Sequence, residues 1–153
     1  MDPLGDLLQP SLGRDDSPAT AIYSLRAGFL TAFFGGPLAA AVVALVNAHR
    51  LNRLRADWPI GLLGIALTFG LAWWQVRAGG DAWLNALMGP SATLYAVRIA
   101  GLALFGAVYA MHRTYYRGMS VLGIKPPNGL ALGAVAVVAG IAVNIPLRII
   151  LSP

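Results

Sequence analysis

Four stretches of the chain are continuously apolar for about the 20 residues that a helix needs to cross a bilayer, and the charged residues fall almost entirely between them. The first runs from Ala27 to Val46, inside a helix expected over about 22–49. The others place helices over about 58–77, 92–114 and 129–150. Between the second and third lies Asp81 to Met88 (DAWLNALM), too short to cross and expected to lie in the interface with Trp83 as its anchor. The pattern predicts an all-α, polytopic membrane protein: a four-transmembrane-helix bundle with a short interfacial helix between helices two and three. Residues 21–153 form one membrane domain, and residues 1–20, with four aspartates, read as a flexible acidic tail.

Polar and small residues inside the apolar runs carry the next layer of information. The first helix contains FFGGPLAAA; Pro37 cannot donate to the carbonyl of Phe33, so a kink is expected there. Gly35 and Gly36 with Ala39 and Ala40 make two small-xxx-small pairs, suited either to close helix packing or to a hinge or lining position in a path. Asp57-Trp58-Pro59 reads as the cap and start of the second helix, which ends in Trp73, Trp74 and Gln75 at the other interface. On the third helix Ser91, Tyr95, Arg98, Gly101, Phe105, Tyr109, His112 and Tyr116 share one face, and such a stripe is expected to face protein or water. On the fourth, Gly129, Gly133, Ala136, Gly140 and Asn144 form a small-residue packing face with one amide on it, and Pro146 bends the last turns.

Composition supports this class. Of 153 residues 58% are hydrophobic and 11% charged, and the mean hydropathy is +0.68; soluble domains carry about a quarter charged residues. The absence of cysteine excludes disulfides, thiolate metal sites and cysteine nucleophiles. There is no glutamate, and the six aspartates all lie outside the long apolar runs. That argues against a buried carboxylate of the kind proton-coupled transporters use. The net charge of +5 sits in short loops, where it meets lipid headgroups and does not point to nucleic acid. Arg50, Arg53, Arg55, Arg113, Arg117 and Lys125 fall in the loops after helices one and three; Arg14, Arg26, Arg77 and Arg148 fall on the other side. The two hairpin loops are therefore expected in the cytoplasm, facing anionic headgroups, and both termini outside.

Arg98 is the leading candidate for chemistry. Sitting about two turns inside its helix, it can snorkel to water, hold an anion or headgroup, or meet another subunit. Asp81 is its expected counter-ion, because no acid lies in any span, with Asn144 a further partner on the same side. His49 and His112 both stand at helix C-terminal ends, where charge favours them; as a pair they would be the only candidates for haem ligation, and without a nearby carboxylate or thiol they make a poor metal set. Asn47 and Asn144 read as interhelical hydrogen-bonding amides. No phosphate loop and no Ser–His–Asp arrangement is present.

The segment IYSLRAGFLTAFFGGPLAAAVVALVN resembles the start of a group of small bacterial membrane proteins. In these a Tyr-Ser pair precedes a Phe-(Phe/Leu)-Gly-Gly-Pro-Leu-Ala motif and a helix ending in asparagine. The matching residues are Tyr23, Ser24, Phe33, Phe34, Gly35, Gly36, Pro37, Leu38, Ala39 and Asn47. The resemblance covers about one helix of four and implies a bacterial inner-membrane setting and no biochemical activity. The function expected is non-enzymatic: helix–helix assembly as a homo-oligomer or accessory subunit, with no cofactor. The alternative is a small oligomeric transporter or channel lined by Tyr95, Arg98 and Tyr109 on helix three and by the Gly35-Gly36-Pro37 kink; a haem protein comes third.

Overall fold

A computed structural model describes residues 22–121 and 123–152. The described chain is helical throughout, with no strand: α1 (Leu25–Arg50), α2 (Leu54–Arg77), α3 (Gly80–Met88), α4 (Ala92–Val121) and α5 (Leu130–Leu151). Four of these, α1, α2, α4 and α5, are long and apolar enough to cross a membrane. The short helix α3 lies between the second and third of them, as expected. The acidic tail lies outside the described residues.

The path of α1 differs from the expected one. Gly36 has φ 70° and ψ −161°, outside the helical region and open essentially to glycine alone. Residues 25–35 (α1a) and 37–50 (α1b) are separate helices that meet at this residue. The Tyr23 amide donates to Asn47 Oδ1 at 2.9 Å, and the Arg50 guanidinium lies 4.1 Å from the Tyr23 ring centroid. In a straight helix these 24 residues would stand about 36 Å apart. α1 is thus a hairpin with both ends on one side, not a kinked rod. Pro37 occupies the first position of α1b, where its missing N–H and fixed φ cost nothing. Its halves are about 16 and 21 Å long, each short of the ~30 Å apolar layer.

The hairpin sits at the centre of the bundle and touches α2, α4 and α5, whereas α4 and α5 make no close contact with each other. Half of the most apolar window of α1 is buried, against 17% in α4 and in α5. Alanine makes this possible: Ala32, Ala40, Ala41 and Ala44 pack with Ile60, Leu104 and Val108, and Ala39 and Val43 pack with Ala136. Two alanine-rich half-helices are thin enough to lie side by side within a frame of three helices. Each frame helix offers a glycine near the level of the turn. A Cβ on Gly101 of α4 would strike the Ala32 carbonyl and Gly36, one on Gly140 of α5 the Gly35 carbonyl, and one on Gly64 of α2 the Ala41 side chain. Such approach supplies dispersion and weak Cα–H···O contacts instead of side-chain interlocking.

These contacts also fix the register. Phe105 reaches Gly28 and Val97 reaches Gly36, so α1a runs antiparallel to α4. Tyr23 and Ala27 reach Gly129, and Thr31 reaches Gly133, so α1a runs parallel to α5. The small-residue face of α5 is therefore occupied inside the chain. One end of the bundle, the loop end, gathers Tyr23, residues 47–55, His112 and Gly129. The far end carries α3 and the C-terminal turns of α5. The described chain begins, at Ile22, on the loop end and closes, at Ser152, on the far end. Outward faces of α2, α4 and α5 carry large exposed apolar residues, and exposed Trp58 at one end and Trp73 and Trp83 at the other mark the two interfaces.

Candidate functional site

The far end holds a polar network built from four helices. Arg148 Nη2 donates to Gln75 Oε1 at 2.9 Å and to the two Asp81 carboxylate oxygens at 3.2 and 3.1 Å. The Thr93 hydroxyl donates to Asp81 Oδ1 at 2.9 Å, and Gln75 Nε2 donates to the Thr93 carbonyl at 3.4 Å. The network ties α2, α3, α4 and α5 together. It also corrects the expected pairing, for Asp81 serves Arg148 and not Arg98. Arg98 stands beside the hairpin turn, half-buried, with its guanidinium 4.7 Å from the Phe33 ring centroid and 5.9 Å from that of Tyr95.

Because α4 and α5 do not touch, a cleft of about 350 Å³ opens between them. Its floor is the hairpin turn, at Phe34 and Gly35. Its walls are Leu94 and Val97 on one side and Ile141 and Ile145 on the other, and Thr93, Asn144 and Arg148 stand around its upper part. Asn144, expected to bond across helices, forms no side-chain hydrogen bond among the described residues. Nor do the Nε and Nη1 groups of Arg148. Non-helical backbone at membrane depth is tolerated where it is buried in protein or lines a cavity, and Gly35 and Gly36 meet that condition.

The loop end contains a second centre that the sequence reading missed. Asp57 is 1% exposed and its Oδ2 lies 2.8 Å from His112 Nε2, itself 2% exposed. Asp57 does not cap α2: the helix starts at Leu54, the cap position is Arg53, and the carboxylate points inward. One carboxylate is therefore buried in the bundle, against the expectation that none would be, and His112 has an acid beside it. Arg53 Nε lies 3.8 Å from Asp57 Oδ2, and Arg53 Nη1 donates to the Tyr115 hydroxyl at 2.9 Å. That hydrogen bond raises Arg53 above the ordinary arginine range, so it is charged at any working pH. His49 is exposed while His112 is committed to Asp57, an arrangement that does not make a haem-ligand pair of them.

The face predicted on the third helix divides. Gly101 and His112 are buried against the hairpin and α2; Tyr95 and Tyr109 are 50% and 40% exposed. Phe29 and Phe33 stack at 6.3 Å, Phe105 meets Phe29 at 6.4 Å, and Tyr109 meets Tyr116 at 5.7 Å, so an aromatic band runs along the α1a–α4 flank. Asn47 bonds back to the Tyr23 amide just before α1, not to another helix. The signal that could have found Asp57 and Gln75 is a stripe on the second helix. Asp57, Gly61, Gly64, Thr68, Ala72 and Gln75 recur at spacings of four, three, four, four and three, and all are buried. Compared with known protein families, curated proteins and solved structures, the chain matches none.

Proposed function

We propose that the protein is a small, non-enzymatic membrane carrier in which the α1 hairpin separates a cleft at the far end from the loop end. The observation that carries this reading is that Phe34 and Gly35, at the hairpin turn, form the floor of the α4–α5 cleft. Broken helices whose ends meet inside the membrane are how transporters bring backbone polar groups to a binding site. The small-residue face on which assembly would rest is taken up by α1, which moves weight from assembly to transport. The bacterial inner membrane is proposed on the resemblance of Tyr23 to Asn47 to proteins of that setting. The loop end is proposed to be cytoplasmic on a charge count that the hairpin sharpens. Arg26, Arg50, Arg53, Arg55, Arg113, Arg117 and Lys125 lie there, against Arg77, Arg98 and Arg148 at or toward the far end.

The chain has no cysteine, so single-cysteine accessibility tests the carrier directly. Phe34→Cys, at the cleft floor, should react with a membrane-impermeant maleimide from both faces of oriented vesicles, because a carrier opens its site to each side in turn. Reaction from the far face only, or from neither, refutes the reading. Assembly is kept as a second reading for one observation, the exposed aromatic band with Arg98 over Phe33. It predicts a dimer mass in mild detergent that Tyr95→Ala with Tyr109→Ala reduces to the monomer.

A further inference from the structure

We propose that the α4–α5 cleft binds a single-chain amphiphile with an anionic carboxylate or phosphate head, its head at Arg148 and Asn144 and its chain along Leu94, Val97, Ile141 and Ile145. This rests on the carrier's cleft and names the class of its substrate.

Three observations converge on that class. The first is the division of the lining. Polar side chains stand only around the upper part of the cleft, while the side chains of its lower walls and floor are apolar. A fully polar solute would leave its own groups unsatisfied against those walls. Leu94, Ile141 and Ile145 are 50%, 47% and 56% exposed, so the cleft is open sideways to the acyl region, and a chain can enter without crossing water.

The second is the hydrogen-bonding capacity left at the top. Arg148 uses Nη2 for Asp81 and Gln75, and its remaining N–H groups have no partner among the described residues. A guanidinium has donors only, so a group that meets it must be an acceptor. A charged acceptor forms the stronger bond in an environment short of water. The unpartnered amide of Asn144 lines the same cleft and can donate to a second head oxygen. Asp81 and Gln75 are both reached by Nη2, which leaves Nε and Nη1 for a ligand.

The third is size. A volume of about 350 Å³ is at the low end for small-molecule sites. That favours a single chain of about laurate length over a two-chain phospholipid.

The test uses the full-length protein in mild detergent, with ligand binding read by native mass spectrometry. Laurate and dodecyl phosphate should each bind at one per chain, at least tenfold more tightly than dodecanol. Acetate and inorganic phosphate, which have the head without the chain, should not bind. Leu94→Trp, which fills the cleft from a half-exposed position, should abolish binding. Asn144→Ala, which breaks no bond within the protein, should weaken it several-fold. Both variants should keep the wild-type circular dichroism and thermal midpoint. Equal binding of dodecanol and laurate, unchanged binding in Leu94→Trp, or displacement of laurate by a two-chain phosphatidic acid at equal concentration would each overturn the proposal. The carrier fails separately. Laurate bound at one per chain with Phe34→Cys reactive from one face keeps the site and removes transport. Reactivity from both faces without laurate binding does the reverse.

Discussion

Replacing Gly36 by alanine separates a hairpin from a kinked helix, because the two geometries predict effects of opposite sign. At an ordinary interior helical position, alanine is better than glycine by up to about 1 kcal/mol. Gly70 of α2 is such a position: it is exposed and a Cβ there meets nothing within 4 Å, so Gly70→Ala should stabilise. Gly36 has φ 70° and ψ −161°, where a non-glycine residue carries about 1–3 kcal/mol of strain. A Cβ there would also lie 2.8 Å from Val97 Cγ1, and overpacking of this kind adds about 1–3 kcal/mol. The lower unfolded-chain entropy of alanine returns about 0.4–1 kcal/mol. Gly36→Ala should therefore destabilise by about 1–5.5 kcal/mol net. The assay is unfolding by sodium dodecyl sulfate in mixed micelles, followed by far-ultraviolet circular dichroism, with Gly70→Ala alongside. A distance measurement completes it. Nitroxides on cysteines at Leu25 and His49, both exposed, would stand about 36 Å apart on a straight helix, and the hairpin brings them to less than about 20 Å. Stabilisation by Gly36→Ala matching that of Gly70→Ala, or a distance near the straight-helix value, would refute the fold described for α1.

Other substitutions probe what holds the bundle. Asp57→Leu or His112→Leu alone leaves one member of a buried pair without its partner and should cost about 3–5 kcal/mol, whereas the double variant should recover most of it; additive losses in the double-mutant cycle would mean the 2.8 Å contact carries no coupling. Gly140→Leu should unseat the hairpin, since even a Cβ there meets the Gly35 carbonyl. It should lengthen the Leu25–His49 distance without changing the mass of the particle in detergent, while a change of mass at constant distance would return that face to intersubunit packing. Asn47→Ala removes the acceptor of the Tyr23 amide and should cost about 1–3 kcal/mol by the same unfolding assay; no loss would show that water satisfies that amide.

The helices were legible because their signal is length and hydropathy, and both survive any path the backbone takes. The hairpin was not, because Gly-Pro in an apolar run has two outcomes. A kink keeps the helix going around Pro37, and a reversal uses Gly36 in a conformation only glycine holds. Nothing local decides between them. The decision comes from partners far along the chain: Asn47 reaching Tyr23, and Gly64, Gly101 and Gly140 leaving room for the turn. The pairing of charges failed for a related reason. Asp57 looks like a cap because it precedes Trp58 and Pro59, yet α2 begins one turn earlier and that turn rotates the carboxylate into the bundle. In the sequence Asp81 and Arg98 fall toward one interface, yet the Asp81 carboxylate, at the start of α3, meets Arg148 of α5. The face of α5 is legible as a packing surface, but its partner, α1, is not, because small residues specify close approach and not which helix approaches.

The distribution of polar bonds says which part of this molecule can move. Asp57 with His112 joins α2 to α4, and the Arg148 network joins α2, α3, α4 and α5. Breaking the Asp57–His112 centre leaves a buried group without its partner, which is costly; the Arg148–Asp81 pair is about a third exposed and costs less to break. The bonds of α1 are of another kind. Tyr23 with Asn47 closes the hairpin on itself, and Thr31 and Ser24 bond to their own helix. Apart from the contacts of Arg50, no side-chain hydrogen bond joins α1 to the frame among the described residues; alanine, glycine and the Arg98–Phe33 contact hold it there. A shift of the hairpin past α2, α4 and α5 therefore exchanges mainly dispersion and ring contacts, together with those of Arg50. That is the displacement the proposed carrier requires, and it would act on the floor of the cleft.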